Sequence, residues 1–401
     1  MRLLRAGVFS VRRGRVTAIL ATSAILALAG CGNGLGSGGG NSSGNSSDAK
    51  TPIVLGMVAP TSGSNAAGGP NMSNGAQLAI DEINAKGGVL GRQLKLEVQD
   101  GACDPKTAVA AANKLVSDGV TASIGGYCSG ATVPTLPIFA KANIPMIIPA
   151  ANSNDLVKAG KKNVFLINGT GTQQSAAALA WLQKQSATNV ALMNDNTSYS
   201  KDIADVTAKN IQGTGSMKVA INEAVTPGES DYSANVNAVL ATRPDFIYWT
   251  GYYQEGGLII RQLRQAGYTG KIMVADGSVD AQLINIAGAK NAEDVFATMT
   301  QTPDTIPGAS DWISKYKAKF TAAPGPYSTQ SYDAVRVAAE AIGNAKSTDG
   351  TKIISALEAI NGFQLFSGPL KFTPEHTLSG GGFVILWVQD GKFVLKDALK
   401  S

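Results

Sequence analysis

The 401-residue chain has one histidine, His376, and three cysteines, Cys31, Cys103 and Cys128. That poverty argues against a zinc site, which draws three or four ligands largely from those two residue types. It also leaves His376 as the sole candidate for a histidine base. The phosphate-binding Gly-Lys loop, the two-histidine metalloprotease helix and paired-cysteine zinc signatures are all absent. Gly126-x-Cys128-x-Gly130 has the outline of a nucleophile elbow, but Cys128 has a better use, given below. No catalytic residue, metal or cofactor is therefore expected, and the chain is not read as an enzyme. Long apolar runs are missing too. The apolar stretch 16–29 falls short of the roughly 20 residues that span a bilayer as a helix.

What is present at the N-terminus is an address. Arg2, Arg5, Arg12, Arg13 and Arg15 precede the apolar stretch, with no acidic residue before Cys31, the layout of an export signal over residues 1–30. The stretch ends Leu28-Ala29-Gly30-Cys31, which resembles a bacterial lipobox. That resemblance implies cleavage before Cys31 and diacylglycerol on its thiol, hence an extracytoplasmic protein held to the bacterial cell membrane by a lipid anchor alone. Arg12-Arg13 is too little to choose between export routes. The chain carries 34 Lys+Arg against 29 Asp+Glu, and discarding the five leader arginines leaves 29 of each. A mature chain without excess positive charge gives no basic face for nucleic acid.

Residues 31–51 are mainly Gly, Asn and Ser and bury too little to offset the entropy of ordering, so they read as a flexible linker. The Gly34-x-Gly36-x-x-Gly39 spacing within them follows no strand, so it is compositional rather than a dinucleotide fingerprint. With Cys31 taken by lipid, Cys103 and Cys128 remain as an even pair in an oxidising exterior, and a disulfide is expected.

From residue 52 onward, short β-branched runs alternate with helix-period stretches. Strands are read at 53–58, 94–98, 122–124, 145–148 and 164–167. A helix over 71–86 places Met72, Ala76, Ala79, Ile80 and Ile83 on one face, and Gly87-Gly88 ends it. A second helix starts at Pro105, where a first turn tolerates proline, and a third covers 131–141. The alternation restarts with helices over 172–185, 200–212, 232–240 and 255–265. Strands follow them at 190–193, 217–221, 246–249, 272–274 and 295–298. Helices over 311–320, 328–344 and 351–360 then precede strand-like 370–372 and 383–388. A mature chain of this length exceeds one core, so the fold class is α/β, with two Rossmann-like lobes of parallel sheet.

Polar loops follow several strands, where such sheets bind ligands: Thr61-Ser62-Gly63-Ser64, Tyr127-Cys128-Ser129-Gly130 and Ala150-Ala151-Asn152-Ser153. Ser129 also stands where a helix N-cap hydroxyl is expected. The segments Asp100-Gly101-Ala102-Cys103-Asp104-Pro105-Lys106, Cys128-Ser129 and Pro149-Ala150-Ala151 resemble the leucine/isoleucine/valine-binding proteins of ABC importers. So do Ile83-Asn84-Ala85-Lys86-Gly87-Gly88, Thr250-Gly251-Tyr252 with Glu255, and Gly368-Pro369-Leu370. The likeness runs in order over nearly the whole mature chain.

The resemblance implies a periplasmic binding protein of type I, with the ligand enclosed between lobes that three segments join. These crossings fall near 168–173, 298–303 and 367–373, giving lobe 1 as 52–168 plus 303–367 and lobe 2 as 169–302 plus 368–401. It places Ser129, Ala150 and Asn152 at a ligand α-carboxylate and Tyr252 and Asp276 at an α-ammonium. Tyr199 and Tyr327 fall at the ligand side chain. The family carries threonine where this chain has Asn152, and glutamate where it has Asp276. Its branched-chain binders carry an aromatic in the loop that here reads Ala66-Ala67-Gly68-Gly69, and that smaller wall is expected to leave more room. The expected partners are a small amino acid-like ligand and an ABC permease, with the protein a monomer. Two alternatives stand beside transport: a ligand-sensing domain reporting to a signalling partner, and a binder of amides or aromatic acids.

Overall fold

In the computed structural model, the described residues are 51–399 apart from Gly381. The export signal, Cys31 and the linker up to residue 50 lie outside them. The predicted alternation appears as two open sheets. β1 (Ile53–Ala59), β2 (Leu94–Asp100), β3 (Ala122–Ser123), β4 (Met146–Ile148) and β5 (Val164–Leu166) form the first. Its order is β2-β1-β3-β4-β5, all pairs parallel.

The second sheet is built on the same plan. β6 (Asn189–Asn194), β7 (Lys218–Ala224), β8 (Phe246–Trp249), β9 (Lys271–Val274) and β10 (Phe296–Thr300) repeat the parallel winding. β11 (Asn361–Leu365) and β12 (Gly368–Lys371) make a separate antiparallel hairpin. β13 (Phe383–Gln389) and β14 (Lys392–Asp397) then extend the second sheet antiparallel beyond β10. Strands buried on both faces read as unbroken apolar runs, as Phe246–Trp249 does with all four residues buried.

The strand order places a switch point in each sheet, between β1 and β3 and between β6 and β8. Chain reversals there open a crevice at the strands' carboxyl ends. Every site residue predicted from the sequence except Tyr327 follows one of β3, β4, β6, β8 or β9. Tyr327 instead begins the helix Ser328–Ala345, which packs along the helix Gly68–Ala85 of the first sheet. A Cβ on Gly75 would stand 2.0 Å from the Ser328 carbonyl oxygen, so the two backbones meet where only glycine fits.

Four expectations change. The helix predicted over 131–141 is broken into Ser129–Thr132, a 3-10 turn Val133–Thr135 and Leu136–Lys141. Pro134 and Pro137 lack the N–H groups that a continuous helix requires. Phe372 and His376, expected with the second lobe, lie against β5 of the first sheet. There Leu166 N–H donates to the His376 carbonyl at 2.9 Å, and the His376 ring stacks on Phe165 at 4.2 Å. That position also removes His376 from any partnership with Cys128. β11 and β14 are not legible as strands, because both are edge-like and largely exposed.

Cys103 and Cys128 are bonded, as their pairing predicts, with Cα atoms 5.4 Å apart. No helix among the described residues is long and apolar enough to cross a membrane.

Candidate functional site

The first sheet supplies a polar shelf. Ser129 opens its short helix but does not cap it, because its hydroxyl is used across the loop. The Oγ accepts from the backbone N–H of Asn152 at 3.3 Å and of Ser153 at 3.2 Å. The loops after β3 and β4 are thereby tied together. Ala150 is anchored from behind, its carbonyl accepting from Asn168 Nδ2 at 2.6 Å. The loop after β1 is turned elsewhere: Thr61, Ser62 and Ala102 all donate to the Asp100 carboxylate. Although burial opposes the shift, the Ser62 hydroxyl and the N–H groups of Ala102 and Thr61 pull Asp100 down to about 2.

The second sheet supplies the charge. Asp276 follows β9 and is 2 % exposed. Its Oδ1 accepts from the Tyr199 hydroxyl at 2.5 Å, and its Oδ2 from the Tyr327 hydroxyl at 2.7 Å and Asn152 Nδ2 at 3.2 Å. Gly277 N–H donates to the Tyr199 oxygen at 2.7 Å, fixing that phenol. Tyr327 reaches Asp276 from a left-handed backbone, φ +63°, a conformation costly for a bulky residue and typical of functional positions.

The support behind Asp276 is dense. Trp249 Nε1 donates to the Tyr252 carbonyl at 3.0 Å, and Ser278 Oγ to the Gly251 carbonyl at 2.8 Å. Cβ atoms on Gly251 and Gly256 would stand within 3 Å of the Trp249 ring. These glycines let the loop after β8 lie flat on the indole.

Burial raises the Asp276 carboxyl above the usual carboxylate range, with the Tyr199 and Tyr327 hydrogen bonds opposing. Burial, with the adjacent carboxylate, raises both phenols far above theirs, so they remain protonated donors. Asp276 takes part in none of the ion pairs among the described residues. Asn152 Oδ1 is buried without a hydrogen-bond partner.

Ser129, Ala150, Asn152, Tyr199, Tyr252, Asp276 and Tyr327 thus border one junction between the two sheets. Tyr252 contributes its ring, 4.9 Å from that of Tyr199. The hydroxyls that reach Asp276, however, are those of Tyr199 and Tyr327, the two expected at the ligand side chain. Two further residues belong here. Gln174 accepts from Asn152 Nδ2 at 2.8 Å and donates to Thr298 Oγ1 at 2.9 Å, orienting the asparagine. Its signal was a polar residue on the buried face of the helix Gly171–Lys184. Tyr127 lies against Tyr252 and Tyr327, ring centroids 6.5 and 5.5 Å away.

A serine hydroxyl, neutral amides, phenols and one buried carboxylate without a cation can hold a small zwitterion. No nucleophile–base pair is present among these groups.

Residues 52–392 match the family model described as periplasmic binding protein. The chain is 32% identical over 346 residues to the leucine-, isoleucine-, valine-, threonine-, and alanine-binding protein of Pseudomonas aeruginosa, covering 86% of this chain and 92% of that one. The structure of a leucine binding protein from Thermotoga maritima superposes with a TM-score of 0.79 at 28% identity, covering 86% of this chain and 97% of that one. A branched-chain amino acid transporter substrate binding protein from Streptococcus pneumoniae, solved with isoleucine, gives 0.77 at 26% identity, covering 86% and 100%.

Proposed function

The chain belongs to the periplasmic binding protein family, and from that premise we propose that it binds an amino acid between its two lobes and delivers it to an ABC importer. The observation that carries this reading is Asp276, a buried carboxylate at the junction of the sheets, hydrogen-bonded among the described residues by neutral groups alone. Burying a charge without a partner is costly, and a ligand ammonium supplies that partner. Opposite it, the Ser129 hydroxyl, whose oxygen accepts from the Asn152 and Ser153 N–H groups, keeps its own proton to donate to an α-carboxylate beside Ala150 and Asn152, with no buried cation needed. Tyr199, Tyr252 and Tyr327 enclose the remainder of the ligand.

Binding in this arrangement favours closure. Groups from both sheets meet at the ligand, so only the closed form offers all of them, and differential affinity shifts the population toward it. The permease then has a distinct form to recognise. The relatives' names extend from leucine to alanine, so the head-group contacts define the class and the side-chain end sets the preference. Calorimetric titration of the purified mature domain against the common amino acids tests the reading. Saturable one-site binding of at least one is expected; binding of none removes it.

The lipid anchor is part of the proposal. Leu28-Ala29-Gly30-Cys31 is the motif that motivates it, and a tethered receptor stays within reach of its permease. In a bacterial host that processes lipoproteins, Cys31→Ser is expected to move the protein from the membrane fraction to the soluble one. Retention of the variant in the membrane fraction means that something other than Cys31 holds it.

A further inference from the structure

We propose that a polar seam beside the cleft, Ser153-Asn154-Asp155 against Ser198 and Asp202, scales the affinity for every ligand alike by favouring closure; this rests on the reading that lobes close on the ligand. Ser153, Asn154 and Asp155 follow β4 of the first sheet, and the helix Ser198–Thr214 follows β6 of the second. The Asp202 carboxylate accepts from the Asn154 backbone N–H at 2.9 Å and from Asn154 Nδ2 at 2.9 and 3.1 Å. Asn154 Oδ1 in turn accepts from the Thr172 hydroxyl at 3.0 Å, which fixes the amide's orientation. Alongside, the Ser198 hydroxyl donates to Asp155 Oδ2 at 2.8 Å and lies 3.1 Å from Ser153 Oγ. The fit depends on Gly171, since a Cβ there would stand 2.4 Å from Asp202 Oδ2.

The seam and the candidate site are carried by the same two segments. Asn152 immediately precedes Ser153, and Tyr199 immediately follows Ser198. Yet the seam's hydrogen bonds join its own members across the two sheets, while Tyr199 turns to Asp276. None of the seam residues is among those assigned to the ligand. Contacts that form on closure, and form identically whichever ligand is enclosed, change only the fraction of protein that is closed. The observed dissociation constant is the intrinsic one divided by that fraction. The seam therefore multiplies all affinities by one factor and leaves the preference among ligands untouched. Its members are half-buried, and losing hydrogen bonds to a carboxylate in that setting lowers affinity by about tenfold.

Two variants break the seam by different means. Asp202→Ala removes the acceptor, whereas Gly171→Ala keeps every polar group and drives a methyl into the carboxylate. Thermal melts establish that each is folded, and either one alone suffices for the test. Alanine, valine, leucine and phenylalanine are titrated calorimetrically into parent and variants. Each ligand that the parent binds is expected to bind the variants about tenfold more weakly, with the ranking kept. Closure without ligand is read separately, by Ser153→Cys with Ser198→Cys in a Cys31→Ser background. The two hydroxyl oxygens are 3.1 Å apart, so thiols in their place are within reach of a disulfide under mild oxidant. The rate of its formation follows the closed fraction, and adding Asp202→Ala should slow it by the factor seen in affinity. Affinities equal to the parent's, a changed ranking, or an unchanged cross-linking rate overturns the proposal. If the parent binds no amino acid, the amino-acid reading falls, and the cross-linking rate alone decides the seam.

Discussion

Asp276→Asn is expected to weaken binding of a zwitterionic amino acid by about one to two decades. The substitution keeps the side chain's shape and leaves one oxygen to accept from Tyr199 or Tyr327, whose hydroxyls now bracket the carboxylate. What it removes is the charge facing the ligand ammonium. A hydrogen bond to a charged group contributes about 1.5–3 kcal/mol, and each 1.4 kcal/mol is tenfold in affinity. Stability without ligand should hold or improve, because burying that charge is itself unfavourable.

The pH dependence has a definite sign. Burial raises the Asp276 carboxyl above the usual carboxylate range, and an ammonium pairs only with its ionised form. Parent affinity is therefore full above the raised pKa and falls as the pH drops through it, approaching tenfold per pH unit for one proton. In the variant this dependence disappears. Without ligand the linkage runs the other way. The folded state holds that proton more tightly than the unfolded chain, so the contribution to stability is full below the unfolded carboxylate pKa. It is lost as the pH rises through the folded value. Calorimetry on parent and variant across this range checks both statements. Equal affinity and equal pH slope in the two proteins would remove Asp276 from the ammonium's neighbourhood.

Removing the disulfide by Cys103→Ser with Cys128→Ser is expected to cost about 3 kcal/mol of stability. The bridge spans 25 residues, and in the chain-entropy model a loop of that length restricts the unfolded chain by about this amount. The native geometry gives the bridge a local task as well. Ala102 and Cys103 are consecutive non-glycine residues in the left-handed region, φ +47° and +53°. The Asp100 carboxylate holds that turn through Ala102 N–H, and the bridge fastens it to the residue before Ser129. Denaturant melts of the parent with and without reductant, alongside the double variant, measure the effect. Ligand affinity should fall less than tenfold, since the Ser129 contacts to Asn152 and Ser153 remain. Two free thiols in unreduced, unfolded Cys31→Ser protein, or identical melts, would show that the bond contributes nothing.

The fold was legible where periodicity reports burial. Phe246–Trp249 is recovered residue for residue as β8, and the helix predicted from residue 328 ends within one residue of the observed one. Edges were not legible. Lys392–Asp397 is a strand because β13 offers it a partner, and its own pattern of charge and exposure contains no such instruction. The proline-broken segment after Ser129 shows helical spacing outlasting the hydrogen bonds that a helix needs.

At the candidate site, Asp276 and Asn152 were singled out because each follows an apolar run at a strand's carboxyl end, and the fold brings them within 3.2 Å of each other. Gln174 was harder to see, since its task depends on Thr298, 124 residues away in sequence. Tyr127 stood in a loop already singled out, but its contact with Gly68, from a different stretch of the chain, was not. The Tyr127 ring packs on Gly68 within the small loop 66–69. A missing side chain in one segment says nothing about which neighbour fills its volume.

The account stands on a ligand held at both ends of a zwitterion. The most direct measurement is calorimetric titration of the parent with the best-binding amino acid, its des-amino acid and its decarboxylated amine, at one pH above the Asp276 transition. Loss of roughly tenfold or more with each analogue is predicted, because each leaves one buried polar group of the site unanswered. Binding of the des-amino acid as tightly as the amino acid would contradict the account, since Asp276 would then be facing no ammonium.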